Sequence, residues 1–133
     1  MDSLNSVPES YQRYLDEIYE IAQNKKGGWV SNKEISESLN VEPASVTGML
    51  EKLKSANYIV WKPRSKIRLT KEGKEIARKL NKAHSLLRVF FKDVLKISDE
   101  DVVENLSCDI EHHLNKKVVK KLELFLNEYL SEE

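Results

Sequence analysis

At 133 residues, 40% hydrophobic and 33% charged with 22 basic and 22 acidic side chains, the chain has the size of one compact domain or of two small ones sharing a core. No apolar run approaches the roughly 18 residues of a membrane helix, and MDSLNSVPESYQ lacks the basic start and apolar core of a signal peptide, so no membrane partner is expected. The single Cys excludes an internal disulfide and points to a reducing cytoplasm.

Residues 8–24 place Tyr11, Tyr14, Leu15, Ile18, Tyr19 and Ala22 at helical spacing, and Gly27-Gly28 ends that helix. Ser31 or Asn32 caps a short second helix through Leu39, with Ile35 and Leu39 inward. After a tight turn at Asn40-Val41-Glu42, Pro43 opens a third helix running to about Ala56, with Val46, Leu50 and Leu53 inward. The period then changes. Tyr58-Ile59-Val60-Trp61 and Lys66-Ile67-Arg68-Leu69, joined by Pro63-Arg64-Ser65, predict a β-hairpin with basic residues at its tip. Thr70 caps a long helix whose stripe is Ile76, Leu80, Ala83, Leu87, Phe90 and Val94. Ser98 caps a short helix, Ser107 the next one, and a last amphipathic helix carries Val118, Val119, Leu122, Leu126 and Tyr129. The fold class is mainly α with a small β-hairpin wing. No repeats or low-complexity segments occur.

The zero net charge hides an asymmetry. Residues 61–82 hold nine Lys/Arg against two Glu, whereas residues 99–113 hold six Asp/Glu and no Lys/Arg. A polyanion and a cation are the partners such a split suggests. Helix, helix, tight turn, helix and hairpin is the winged helix-turn-helix order, in which the second helix of the motif enters the major groove of double-stranded DNA. Here that helix is Pro43–Ala56. Its outward Ala44, Ser45, Thr47 and Gly48 are small enough for close approach to base edges. Lys52, Lys54, Arg64, Lys66 and Arg68 would supply charge to the phosphates. The plainer alternative is a solvated basic face.

CDIEHHL, residues 108–114, contains the only Cys and two of the three His. Cys108, Glu111 and His112 share a helical face by i, i+3 and i+4 spacing. Thiolate, carboxylate and imidazole form a usable ligand set for a transition metal, and a polar helix face with a buried Cys is the alternative. His84 lies inside the apolar stripe between Leu80 and Leu87 and must find a partner. Catalysis fits poorly. EHH is not HExxH, nothing suggests an oxyanion hole, and the C-x-x-C pairs of structural zinc sites are absent. The chain is not expected to be an enzyme or to take a small organic substrate.

The strings LNVEPASVTGMLEKLKSANYI, the wing, KAHSLL and CDIEHHL, in that order, resemble the DtxR/MntR family of metal-dependent transcriptional repressors over nearly the whole chain. The resemblance implies a winged-helix DNA-binding domain over residues 1–72 and a helical metal-binding and dimerisation domain over 73–133. It also implies a homodimer on a palindromic operator, with Fe(II) or Mn(II) as corepressor and Zn(II) or another divalent metal as a substitute. It assigns Cys108, Glu111 and His112 to the family's cluster, His84 to the long-helix histidine, Asp16 to an acidic first-helix ligand, and Glu104 to a position one turn before Cys108. Arg13 and Arg88 stand where the family places ligands, and a guanidinium cannot ligate. Gly48 stands where iron-type members carry a base-contacting Gln. A metal-independent winged-helix regulator and a metal-binding interaction dimer without a DNA target are the rival readings.

Overall fold

The computed structural model describes residues 7–62 and 65–132. They form two compact units, Pro8–Arg78 and one built on Lys79–Glu133, each described by itself below.

In the first unit, α1 (Glu9–Ala22) buries Leu15 and Ile18 completely, and Gln12 as well. The helix stops at Ala22, before the glycines. A short 3-10 turn at Lys26–Gly28 follows, with Gly27 at φ 79° and Gly28 at φ 73°, backbone that favours glycine. Helix α2 (Asn32–Leu39) starts on a reciprocal capping box: Glu34 N–H donates to Ser31 Oγ at 3.1 Å, and Ser31 N–H donates to Glu34 Oε1 at 3.0 Å. It ends at Asn40, which takes the left-handed conformation at φ 56°. Ile35 and Ser36 are its buried residues, and Leu39 is half-buried.

Pro43 opens α3 (Pro43–Ser55), where a missing N–H costs no helical hydrogen bond. Val46, Leu50 and Leu53 are fully buried. Strands β1 (Ile59–Val60) and β2 (Arg68–Leu69) pair antiparallel with Ile59 opposite Leu69 and Val60 opposite Arg68. The pleat turns Ile59 and Leu69 inward and leaves Val60 and Arg68 exposed. A bridge between Val30 and Ile67, with N–H···O distances of 2.8 and 2.7 Å, widens this small sheet.

Thr70 caps α4 (Lys71–Val89): its Oγ1 accepts from Gly73 N–H at 3.1 Å and donates to Asn57 O at 2.8 Å. Gly73 is there for a close approach, since a Cβ would stand 2.2 Å from Tyr58 O.

The second unit takes Leu80, Ala83 and Leu87 of α4 into its core. The predicted stripe then changes form. Phe90–Val94 is a π turn, closed by Leu95 N–H to Phe90 O at 3.0 Å. The cap of α5 (Glu100–Glu111) is Asp99, not Ser98; its carboxylate accepts from Asp101 N–H and Val102 N–H at 3.0 and 3.2 Å. The helix boundary expected at Ser107 is absent. Ser107 lies within α5, buried, and its hydroxyl donates to Val103 O at 2.7 Å, so it needs no cap position to be satisfied. Helix α6 (Lys116–Ser131) is capped by Asn115. Leu126 is its buried residue, while Val118, Leu124, Phe125 and Leu130 are exposed, as are Val102 and Leu106 on α5. No described helix is long and apolar enough to cross a membrane.

Candidate metal centre and nucleic-acid face

The second unit brings His84, Cys108 and Glu111 together. One ligand atom from each lies within 4.8 Å of the others. Donors around one ion at bond lengths of about 2.0–2.3 Å stand up to roughly 4.5 Å apart, so small side-chain movements suffice for common coordination. Helical spacing puts Cys108 and Glu111 on one face of α5, and His84 reaches them from α4. Glu111 gives the sharpest test of fit. Its side chain is 1% exposed, and its Oε2 is buried with no hydrogen-bond partner among the described residues. A buried carboxylate oxygen without a hydrogen bond calls for a cation beside it, and either a protonated His84, 3.6 Å away, or a metal can serve. The donors present therefore fit a divalent metal.

His84 is held between two carboxylates. Its Nδ1 lies 3.6 Å from Glu111 Oε2 and its Nε2 lies 3.0 Å from Glu104 Oε1. Glu111 raises the His84 pKa most, Glu104 adds to the rise, and burial opposes it. The imidazole is thus protonated more readily than a free one, and a metal must displace that proton.

His112 is the C-cap residue of α5 and is buried, with Nε2 at 4.0 Å from Glu111 Oε1. It borders the three-residue cluster without belonging to it. Glu104 is half exposed and faces His84 through one oxygen and Arg88 Nε through the other, at 3.3 Å. Arg88 also reaches Glu100 at 3.5 Å, and Lys92 reaches the same carboxylate at 2.8 Å. The roles of Glu100 and Lys92 were not legible in the sequence. Both sit in a mixed-charge segment whose pairing depends on the π turn.

Asp16 belongs to the first unit, half-buried on α1. Arg13, one turn before Glu17, donates from Nε and Nη2 to Glu9 Oε2 at 3.2 and 3.1 Å.

On α3, Ala44, Ser45, Gly48 and Lys52 are exposed, as is Lys66 on the wing. A Cβ at Gly48 would meet nothing within 4 Å. Thr47 is more committed: its hydroxyl donates to Pro43 O at 3.1 Å and accepts from Asn32 Nδ2 at 3.1 Å. Asn32, Lys33, Thr47, Trp61 and Lys66 line one concave surface, which joins α3 to the wing. Arg64 lies outside the described residues. Arg68 packs its guanidinium 5.3 Å from the Trp29 ring centre.

Two family models match. "Iron dependent repressor, N-terminal DNA binding domain" covers residues 7–67, and "Iron dependent repressor, metal binding and dimerisation domain" covers residues 70–131. An uncharacterised HTH-type transcriptional regulator of Methanocaldococcus jannaschii is 30% identical over 124 residues, 92% of this chain and 97% of that one. The HTH-type transcriptional regulator MntR of Bacillus subtilis is 30% identical over 113 residues, 85% of this chain and 77% of that one. Among solved structures, the manganese regulator SloR superposes with TM-score 0.73 at 30% identity, covering 88% of this chain and 53% of that one. The metal-dependent transcriptional regulator MtsR does so with TM-score 0.77 at 25% identity, covering 88% and 53%. The chain spans about half the length of these two solved structures. With matched DNA-binding and metal-binding models in succession along its length, the chain belongs to the iron-dependent repressor (DtxR/MntR) family, whose members are transcriptional regulators and not enzymes.

Proposed function

We propose that the protein is a cytoplasmic homodimeric repressor whose affinity for a palindromic operator is set by Fe(II) or Mn(II). The observation that carries this reading is the buried Glu111 carboxylate, whose Oε2 makes no hydrogen bond and lies 3.6 Å from His84 Nδ1, in a cluster with Cys108. A bound ion takes over from the protonated His84 as the positive charge facing this carboxylate. Cys108 coordinates as the thiolate, and a sulfur ligand favours Fe(II) over the harder Mn(II). His84 coordinates as the neutral imidazole after losing its proton. Glu104 and His112 border the set.

On DNA, α3 presents Ala44, Ser45, Thr47 and Gly48 to base edges, while Lys52, Arg64 and Lys66 meet phosphates. Thr47 offers chiefly its methyl, because its hydroxyl is already engaged by Asn32 and Pro43. The exposed apolar residues of α5 and α6 form the dimer interface. Metal and DNA are linked: an ion that favours the DNA-competent state tightens DNA binding, and DNA tightens metal binding by the same factor. Arg88 favours a second reading, a regulator that works without metal, because it already gives Glu104 a cation.

Fluorescence anisotropy with genomic fragments, including the protein's own promoter, distinguishes the two. One series contains a chelator, and parallel anaerobic series contain Fe(II), Mn(II) or Zn(II). Sequence-selective binding that requires metal establishes the sensor. Equal binding in chelator establishes the metal-independent regulator.

A further inference from the structure

We propose that the centre takes one divalent ion per chain, because Arg88 and Lys92 already serve as its other cations, and that Arg88 sets this stoichiometry. The inference rests on the metal reading above and goes further, to how many ions these residues admit. The last turn of α4 and the π turn after it bring Arg88 and Lys92 against α5. There, Arg88 Nε lies 3.3 Å from Glu104 Oε2, Arg88 Nη2 lies 3.5 Å from Glu100 Oε2, and Lys92 Nζ lies 2.8 Å from Glu100 Oε1.

Charge around the centre then closes on a single ion. Glu100, Glu104, Glu111 and the Cys108 thiolate are anionic, Arg88 and Lys92 are cationic, and a ligating His84 is neutral. Two negative charges remain, which one divalent ion neutralises. A second ion would leave the region net positive.

Donor supply gives the same answer. Glu104 turns one oxygen to His84 and the other to Arg88, so a further ion must compete with both contacts while Arg88 stays. Arginine cannot leave by deprotonation, since it remains charged at any working pH. Arg88 Nε is buried against Glu104, so water screens its charge poorly at that nitrogen. A guanidinium so placed repels a cation arriving beside the first.

The test is equilibrium dialysis of the full chain against Mn(II) and, anaerobically, Fe(II), with bound metal counted by elemental analysis. Wild type is expected to hold one ion per chain. Arg88→Glu, which replaces the cation with a donor, is expected to hold two. Arg88→Gln is expected to hold one, roughly ten-fold tighter, through loss of one like-charge repulsion. Circular dichroism checks that both variants are folded, since exposed Cys and His of an unfolded chain also bind metal, and Arg88→Gln serves where Arg88→Glu does not fold. Two ions in wild type overturn the proposal. So does one ion at unchanged affinity in both variants, which would make Arg88 a structural salt-bridge residue only. No ion in wild type overturns the metal reading itself, and this proposal with it.

Discussion

The two units solve the same folding problem differently. In the first, Leu15, Ile18, Ile35, Val46, Leu50, Leu53 and Ile67 are fully buried, drawn from three helices and the sheet. The second puts a carboxylate, an imidazole and a hydroxyl (Glu111, His112 and Ser107) among its buried side chains, and exposes Val102, Leu106, Val118, Leu124, Phe125 and Leu130. Apolar burial is the main stabilising term in folding, and an uncompensated buried charge opposes it. The first unit is therefore stabilised from within. The second depends on what neutralises Glu111 and on what covers its apolar face.

That contrast is most easily broken with one substitution in each unit. Gly73→Ala forces a Cβ into the Tyr58 carbonyl, 2.2 Å away. The expected loss is about 2–3 kcal/mol of stability, as for overpacking against backbone. Added metal should not rescue the first unit, as followed by hydrogen exchange at its core amides. Glu111→Gln removes the buried charge instead. The metal-free protein should melt within a few degrees of wild type, whereas metal-induced stabilisation, about 3 kcal/mol at a hundred-fold excess over Kd, should vanish in calorimetry. A large drop in metal-free stability would mean that Glu111 is a core polar residue rather than a ligand.

The exposed face gives the next largest effect. Leu124→Lys places a charge on a residue that is already 47% exposed. Analytical ultracentrifugation should show a shift toward monomer with unchanged helicity. An unaltered dimer would place the interface elsewhere.

Proton competition gives a smaller effect, of opposite sign in the two metal states. Folding raises the His84 pKa above its usual 6.5, chiefly through Glu111. The protonated imidazole therefore stabilises the metal-free fold fully below about 6.5, and that contribution fades as pH rises through the higher folded value. Metal requires the neutral imidazole, so its affinity rises across the same window. Thermal melts from about pH 6 to 8 should show metal-free stability falling while the metal increment grows. His84→Gln should flatten both trends.

Much of the first unit was legible because local and tertiary signals agree there. The stripe of α3, a cap at Ser31 or Asn32, and the polar-apolar alternation over residues 66–69 each rest on residues close together in the sequence. The second unit was read less completely. Ser98 and Asp99 compete for one cap, and the carboxylate wins by accepting two backbone N–H groups. Ser107 looks like a helix start only until Val103 O is seen to accept its hydroxyl. The π turn at Phe90–Val94 has no periodic signature in so short a span. His84 was visible as an anomaly in an apolar stripe, but its two carboxylate neighbours come from another helix, and no spacing rule within α4 could supply them.

The smallest effect tests the first unit's surface rather than its core. Gly48 lies within α3, outside any turn, and a Cβ there meets nothing within 4 Å. Glycine inside a helix costs roughly 0.5–1 kcal/mol relative to alanine, mostly in backbone entropy. Gly48→Ala should therefore raise the melting temperature of the free protein by a few degrees. A position that folding alone would fill with alanine has been left bare, and the exposed Ala44 and Ser45 lie one turn before it on the same helix. If that bareness admits DNA, the stabilised variant should bind operator more weakly, with the same salt slope because no charge has changed. Higher stability with undiminished DNA affinity would remove Gly48 from the interface and leave Lys52 and the wing to account for binding.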